Sequence, residues 1–272
     1  METDKRFTGS IAKLYESHLV PLIFEPYAAD LARRVASTQP RRVLEIAAGT
    51  GVATRRLSEA LGRDGAIVAT DLNPPMLDEA RTRGTRHAVE WRQADAMQLP
   101  FEDASFDAVA CQFGVMFFPD KPRAFAEARR VLRPGGVLHF SVWDRIEENE
   151  FADAVTQAVA TMFPDDPPRF LARTPHGYFD TGAIGRDLRE GGFGVPAITT
   201  LAARSRASSP EVPAMAYCQG TPLRGEIEAR DASRLEEATR AAARLIASRF
   251  GARAVDGKIQ AHVVSVGVQD AP

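Results

Sequence analysis

Cysteine is scarce: the 272 residues hold two, Cys111 and Cys218, far apart in the chain. That excludes a disulfide framework and a cysteine-rich zinc site. No run approaches 18 consecutive apolar residues, so no membrane-spanning helix is expected. The opening METDKRFTGS lacks the apolar stretch of a secretory leader. Neither charge dominates, with 34 Lys and Arg against 36 Asp and Glu and a net charge of −2. This balance argues against broad binding to nucleic acid or to anionic membranes. Internal repeats are also lacking. What remains, 44% hydrophobic and 26% charged, is ordinary globular composition. The length supports one large domain or two small ones without covalent staples. A cytoplasmic protein is expected.

Short apolar runs alternate with amphipathic stretches. Residues 42–46, 66–70, 89–93, 106–112 and 137–143 read as strands, mostly apolar at consecutive positions, as burial on both faces requires. Helices are predicted between them. One covers 52–61 and ends at Gly62; another covers 74–82, with Pro74 and Pro75 in its first turn. A third covers 121–132, ended by Arg133-Pro134-Gly135-Gly136. Strands alternating with helices specify an α/β fold, a doubly wound and mostly parallel sheet with right-handed crossovers.

Beyond Trp143 the pattern loosens. A helix is predicted over 151–163 and stopped by the proline-rich 164–168, and another over 181–190. Residues 198–203 read as a strand, 208–222 as proline-interrupted, and 224–250 as one long helix rich in Ala, Arg and Glu. Residues 259–268 alternate and read as a strand antiparallel to the rest, the seventh of the sheet. Residues 1–40 look helical and broken at Pro21 and Pro26, and are expected to cover the mouth of the sheet.

In an open α/β sheet, ligands bind at the carboxyl ends of the strands, near the reversal of strand order. The first strand runs into Ala47-Ala48-Gly49-Thr50-Gly51. Its glycines allow a tight turn with bare backbone against a ligand. The spacing fits neither G-x-G-x-x-G nor a Walker A loop. A glycine pair alone is equally a close-packed strand–helix turn. Asp71, about twenty residues on at the end of the second strand, suits a ribose. Asp95-Ala96 ends the third strand at the same sheet edge. Each Asp alone also reads as a turn or cap residue; the two in register with a glycine turn point to a ligand.

Five segments carry a family resemblance: Val43 to Gly51, Asp71, Gln93 to Phe101 (QADAMQLPF), Phe106 to Cys111 (FDAVAC) and Arg130 to Gly136 (RVLRPGG). In this order and spacing over residues 40–143, the chain resembles class I S-adenosylmethionine-dependent methyltransferases, especially the ubiquinone/menaquinone-biosynthesis type. The resemblance implies a Rossmann-like, seven-stranded sheet with helical lid segments. It further implies one methyltransferase domain, with 1–40 as N-terminal lid helices and 41–143 as the cofactor-binding half. Residues 144–272 are then the substrate half, with a helical insertion at about 205–255. Gly49 and Gly51 would pass under the methionine portion and Asp71 would bind the ribose. Leu72 and Met76 would pack on the ribose and adenine, and Asp95 and Ala96 would meet the adenine edge. Cys111 and Gln112 would sit near the methionine end. The family usually has glycine where this chain has Ala47, an alanine tolerable only with negative φ, so the turn is expected to be slightly displaced.

The expected reaction is methyl transfer to oxygen, nitrogen or carbon of a small, partly apolar molecule, with S-adenosylhomocysteine as product. Methyl transfer needs chiefly in-line placement and exclusion of water, and a general base only where the acceptor loses a proton. Candidate bases are His18, His176 and His262, with His18 preferred and a surface histidine its plainer reading. His139, mid-strand, reads as a core histidine. Tyr15, Phe117 and Trp143 are candidate pocket walls that would equally serve as core. Asn73-Pro74-Pro75-Met76 reads as a helix start, since an amino-methylation motif belongs after the fourth strand and ends in an aromatic. No metal is expected, because no His–carboxylate cluster has ligand spacing. The alternatives are a non-catalytic S-adenosylmethionine-binding regulatory protein and a methyltransferase acting on RNA or protein. A nicotinamide-dependent oxidoreductase is opposed by the glycine spacing.

Overall fold

The computed structural model describes residues 9–63 and 65–268. Helix α1 (Gly9–Leu14) continues as a wide, π-type helix over Tyr15–Phe24 and then as α2 (Glu25–Ser37). The break expected at Pro21 is therefore a widening, which moves the proline ring away from the preceding turn. Pro26 falls at the second residue of α2, at the junction with the wider helix. The elements β1 (Arg42–Ile46), α3 (Val52–Leu61), β2 (Ala66–Asp71), α4 (Pro74–Arg83), β3 (Val89–Gln93), β4 (Phe106–Gln112) and α5 (Lys121–Val131) follow the sequence reading closely.

Strand β5 (Leu132–Trp143) starts directly after α5 and includes Arg133-Pro134-Gly135-Gly136, earlier than expected. Gly135 takes φ 75°, and a Cβ on Gly136 would lie 2.9 Å from the Arg133 carbonyl, so glycine makes this tight entry possible. Next come α6 (Glu150–Met162), the short α7 (Phe170–Arg173), α8 (Thr181–Glu190) and β6 (Ala197–Ala207). The single helix expected over 224–250 is divided. Helix α9 (Glu211–Gln219) precedes α10 (Leu223–Asp231), a tight turn at Ala232–Arg234 and α11 (Leu235–Phe250). Asp231 causes the division: its carboxylate accepts from the Ser233 N–H (2.9 Å) and hydroxyl (2.6 Å), and so caps a new start. Strand β7 (Val255–Gly267) closes the order.

The seven strands lie in the order β3-β2-β1-β4-β5-β7-β6. The pairs β2–β3, β1–β2, β1–β4 and β4–β5 are parallel. Strand β7 runs against β5: Val268 N–H donates to Gly136 O (2.8 Å), while Asp144 N–H donates to Gln260 O (3.0 Å). The strand order reverses between β1 and β4, which sets the switch point beside the glycine turn.

The chain forms two compact units. The first takes residues 9–24, 143–177 and 202–260, and the second takes 25–142, 178–201 and 261–268. In the second unit Val43, Leu44, Ala108, Val109 and Ala110 are sealed from solvent, because β1 and β4 are central strands covered on both faces. In the first unit α11 packs on α6 and α9. Phe151 lies edge-on to Phe250 at 5.1 Å, and full burial of such a ring contributes about 1.5–3 kcal/mol. Among the described residues no helix is long and apolar enough to cross a membrane.

Candidate functional site

Strand β1 ends because the backbone turns left-handed: Ala47, Gly49 and Gly51 have φ of 54°, 56° and 83°. The negative φ expected at Ala47 is thus corrected. The turn follows a glycine path even where it carries a methyl, a conformation that strains an L residue by about 1–2 kcal/mol. Backbone bonds hold it there: Ala48 N–H donates to Thr70 O (2.8 Å) and Gly51 N–H to Ala48 O (2.9 Å). Asp71, at the end of β2, accepts from the Gly49 N–H (2.9 Å) with one oxygen and from the Asn73 N–H (2.8 Å) with the other. Burial raises its pKa, and the N–H donors of Asn73 and Gly49 oppose that.

The two glycines leave a cradle. A Cβ on Gly51 would lie 3.0 Å from the Trp91 ring and 3.2 Å from Ala80 Cβ, and one on Gly49 would touch Met76 Cε at 3.5 Å. Beside it Leu72 is 44% exposed, an unusual state for a leucine next to a buried carboxylate. The β3 end joins the same region, with Ala94 N–H donating to Asp71 O (3.1 Å). Asp95 accepts from the Met97 N–H (2.9 Å) through one oxygen, and Ala96 is buried.

Beneath the turn lies Glu45, the one charge in an otherwise apolar strand end and fully buried. Burial pushes its carboxyl up to about 8; the Thr54 hydroxyl and the Arg55 charge pull the other way, and the Asp71 charge adds to the rise. At the end of β4, Cys111 and Gln112 are buried. Burial pushes the Cys111 thiol up to about 12, which leaves no thiolate for nucleophilic chemistry. Phe113 follows with φ 53°, its ring edge-on to Tyr27 at 5.3 Å. Half-buried Phe117 donates its N–H to Gly114 O (3.0 Å).

Ala47, Gly49, Gly51, Asp71, Leu72, Met76, Asp95, Ala96, Cys111, Gln112 and Phe117 therefore all lie in the second unit. Tyr15, His18 and Trp143 lie in the first unit. There Tyr15 stacks on Phe24 at 5.0 Å, and Phe24 meets Trp143 at 5.9 Å. His18 is half-buried, its Nδ1 2.7 Å from Ser17 Oγ. His176 is buried 6.0 Å from the Trp143 ring and donates from Nδ1 to the Asp144 carbonyl (2.9 Å). Burial pushes its pKa down to about 4, opposed by that bond. His139 bonds Ser265 Oγ through Nδ1 (2.8 Å) and His262 bonds Thr200 Oγ1 (3.0 Å), both within the sheet. Among the described residues, no three His, Cys, Asp or Glu side chains gather as a metal site. Sequence reasoning passed over Glu45, Trp91 and Gly114. A lone acid inside an apolar strand was the signal for Glu45; nothing in the sequence marked the contact of Trp91 with Gly51.

Residues 44–140 match the family model described as a methyltransferase domain. The chain is 42% identical over 107 residues to the ubiquinone/menaquinone biosynthesis C-methyltransferase UbiE of Idiomarina loihiensis, covering 37% of this chain and 43% of that protein. It is 43% identical over 113 residues to the demethylmenaquinone methyltransferase of Deinococcus radiodurans, covering 39% and 46%. The chain thus spans less than half the length of these curated relatives. The fold is shared with the Haemonchus contortus phosphoethanolamine N-methyltransferase 2, at a TM-score of 0.59 and 16% identity over 99% of this chain and 60% of that one. Residues 44–140 thus carry a methyltransferase domain, and this stretch is similar in sequence to the ubiquinone/menaquinone C-methyltransferases.

Proposed function

We propose that the chain transfers a methyl group from S-adenosylmethionine to a small, partly apolar molecule. The observation that carries this reading is the glycine turn pinned by Asp71 at the switch point of a methyltransferase domain. Asp71 Oδ2 takes the Gly49 N–H while Oδ1 takes the N–H and the side-chain amide of Asn73, and the carboxylate is placed to accept from a ribose hydroxyl at Oδ2. Leu72 offers an exposed apolar plate, Met76 and the bare glycine backbone a floor, and the second oxygen of Asp95 an acceptor for an amino group. Ala96, Cys111 and Gln112 complete the lining.

When bound, the cofactor supplies a methyl group on a sulfonium, already a good electrophile. The protein's part is to orient and to exclude water. A base matters only for an acceptor that gives up a proton. The proposal includes a metal-independent reaction in the cytoplasm without a nucleic-acid partner. Acceptors of the quinone-precursor class enter through the names of the relatives.

Calorimetry tests the cofactor: S-adenosylmethionine and S-adenosylhomocysteine should bind and NAD should not, and the reverse ranking refutes the reading. Formation of S-adenosylhomocysteine across phenols, amines and quinone precursors tests the activity. Binding without turnover on that panel would favour a regulatory S-adenosylmethionine-binding protein.

A further inference from the structure

At the switch point one methyl group and one hydrogen atom sit where the backbone asks for the reverse. Ala47 has φ 54°, in the left-handed region that favours glycine, and yet it carries a methyl. Gly114 has φ −97° and ψ −35°, a conformation open to any residue, and yet it has no side chain. The two face each other. A Cβ built on Gly114 would lie 2.5 Å from Ala47 Cβ and 2.8 Å from Cys111 Sγ. Space, and not backbone geometry, therefore demands glycine at 114.

We infer that Gly114 is a positioning residue for the glycine turn: its missing side chain is the slot that receives the Ala47 methyl, and the cradle keeps its shape only while the two positions carry no more than one methyl between them. The methyl is turned toward the loop after β4. Ala47 precedes the bonds from Ala48 to Thr70 and from Gly49 to Asp71, so a push on its methyl is transmitted to both. Neither partner can yield cheaply. Phe113, next to Gly114, is itself left-handed and is anchored by its N–H to Ser141 O (3.0 Å) and by its ring against Tyr27. Only the binding readout of this inference rests on the cofactor reading.

The test is a double-mutant cycle on the full chain, read by the melting temperature of the free protein and by S-adenosylhomocysteine affinity. Gly114→Ala should lower the melting temperature by on the order of 5 °C and weaken binding about tenfold or more. Ala47→Gly alone should leave the melting temperature equal or higher, and its affinity is the baseline against which the double variant is read. The double variant Ala47→Gly/Gly114→Ala should regain most of both losses. Additive losses overturn the inference. Should Gly114→Ala fail to fold, a folded double variant supports the pair and an unfolded one refutes it. Cys111 Sγ is the end of a side chain that can rotate, so the cycle is repeated with Cys111→Ala. If Gly114→Ala becomes harmless there, the clash was with Cys111 and the pair is refuted. If S-adenosylhomocysteine does not bind the unaltered protein, the cofactor reading fails, while the melting-temperature cycle still decides the pair.

Discussion

Glu45 ties the stability of the whole protein to pH. An unfolded glutamate ionises near 4.5, whereas in the fold burial holds this carboxyl protonated up to about pH 8. Between those values the folded chain binds more protons than the unfolded one. Stability therefore falls as pH rises through the window, by up to about 1.4 kcal/mol per pH unit, and levels off above 8. From pH 5 to 7.5 the accumulated loss is on the order of 3 kcal/mol, a large share of a typical total of 5–15 kcal/mol. Glu45→Gln keeps the shape and removes the titration. Urea unfolding of both proteins at pH 5, 6, 7 and 7.5 isolates the effect, because every other titrating group cancels in the difference. The variant should gain steadily on the parent, by on the order of 3 kcal/mol over this range. Parallel curves would mean that Glu45 is ionised in the fold, and the account of its burial would be refuted.

Other outcomes follow from the same geometry. Asp71→Ala should weaken S-adenosylhomocysteine binding by about 1–3 kcal/mol and lower stability as well, because it strips the Gly49 and Asn73 N–H groups of their acceptor. Asp71→Asn, which keeps an oxygen for one of them, should recover part of the stability loss; equal unfolding midpoints for the two variants would contradict this. Gly51→Ala should abolish measurable binding and cost about 1–2 kcal/mol of stability, since its φ of 83° and the Trp91 ring both oppose a methyl; unchanged calorimetry would refute the cradle. His176 has its pKa lowered to about 4, so its contribution is complete above pH 6.5 and is lost as pH falls toward 4. His176→Gln should accordingly gain about 2 kcal/mol on the parent between pH 7 and pH 5 in the same urea assay.

Residues 42–143 were legible in the sequence because both-face burial writes itself as consecutive apolar residues. Val43-Leu44 and Ala108-Val109-Ala110 have no face on which a polar residue would be stable. The segments that misled are those where a local bond overrides the pattern. The helical composition of 224–250 is continuous, and one carboxylate, Asp231, divides it. Pro21 looked like a break and is absorbed by a wider turn. In the site, the residue types and their order announced the glycine turn and its acidic partners. The sequence was silent on φ. The expectation of negative φ at Ala47 followed from local preference, which the bonds of Ala48, Gly49 and Gly51 overrule.

The places where local preference loses are not scattered. Of the four non-glycine residues with positive φ among the described residues, Ala47 and Phe113 end the adjacent strands β1 and β4, where the strand order reverses. Strain of about 1–3 kcal/mol per residue persists only where the surroundings over-determine it. Here they do: backbone bonds to Thr70 and Ser141 hold the two strand ends, and the Asp71 carboxylate fixes Gly49. A buried acid near pH 8 lies beneath the same turn. A turn built only for stability would need none of these, since a glycine at 47 and an apolar residue at 45 would each be less costly. Their convergence on one sheet edge supports the proposed binding site, which the fold would keep at some expense to its stability.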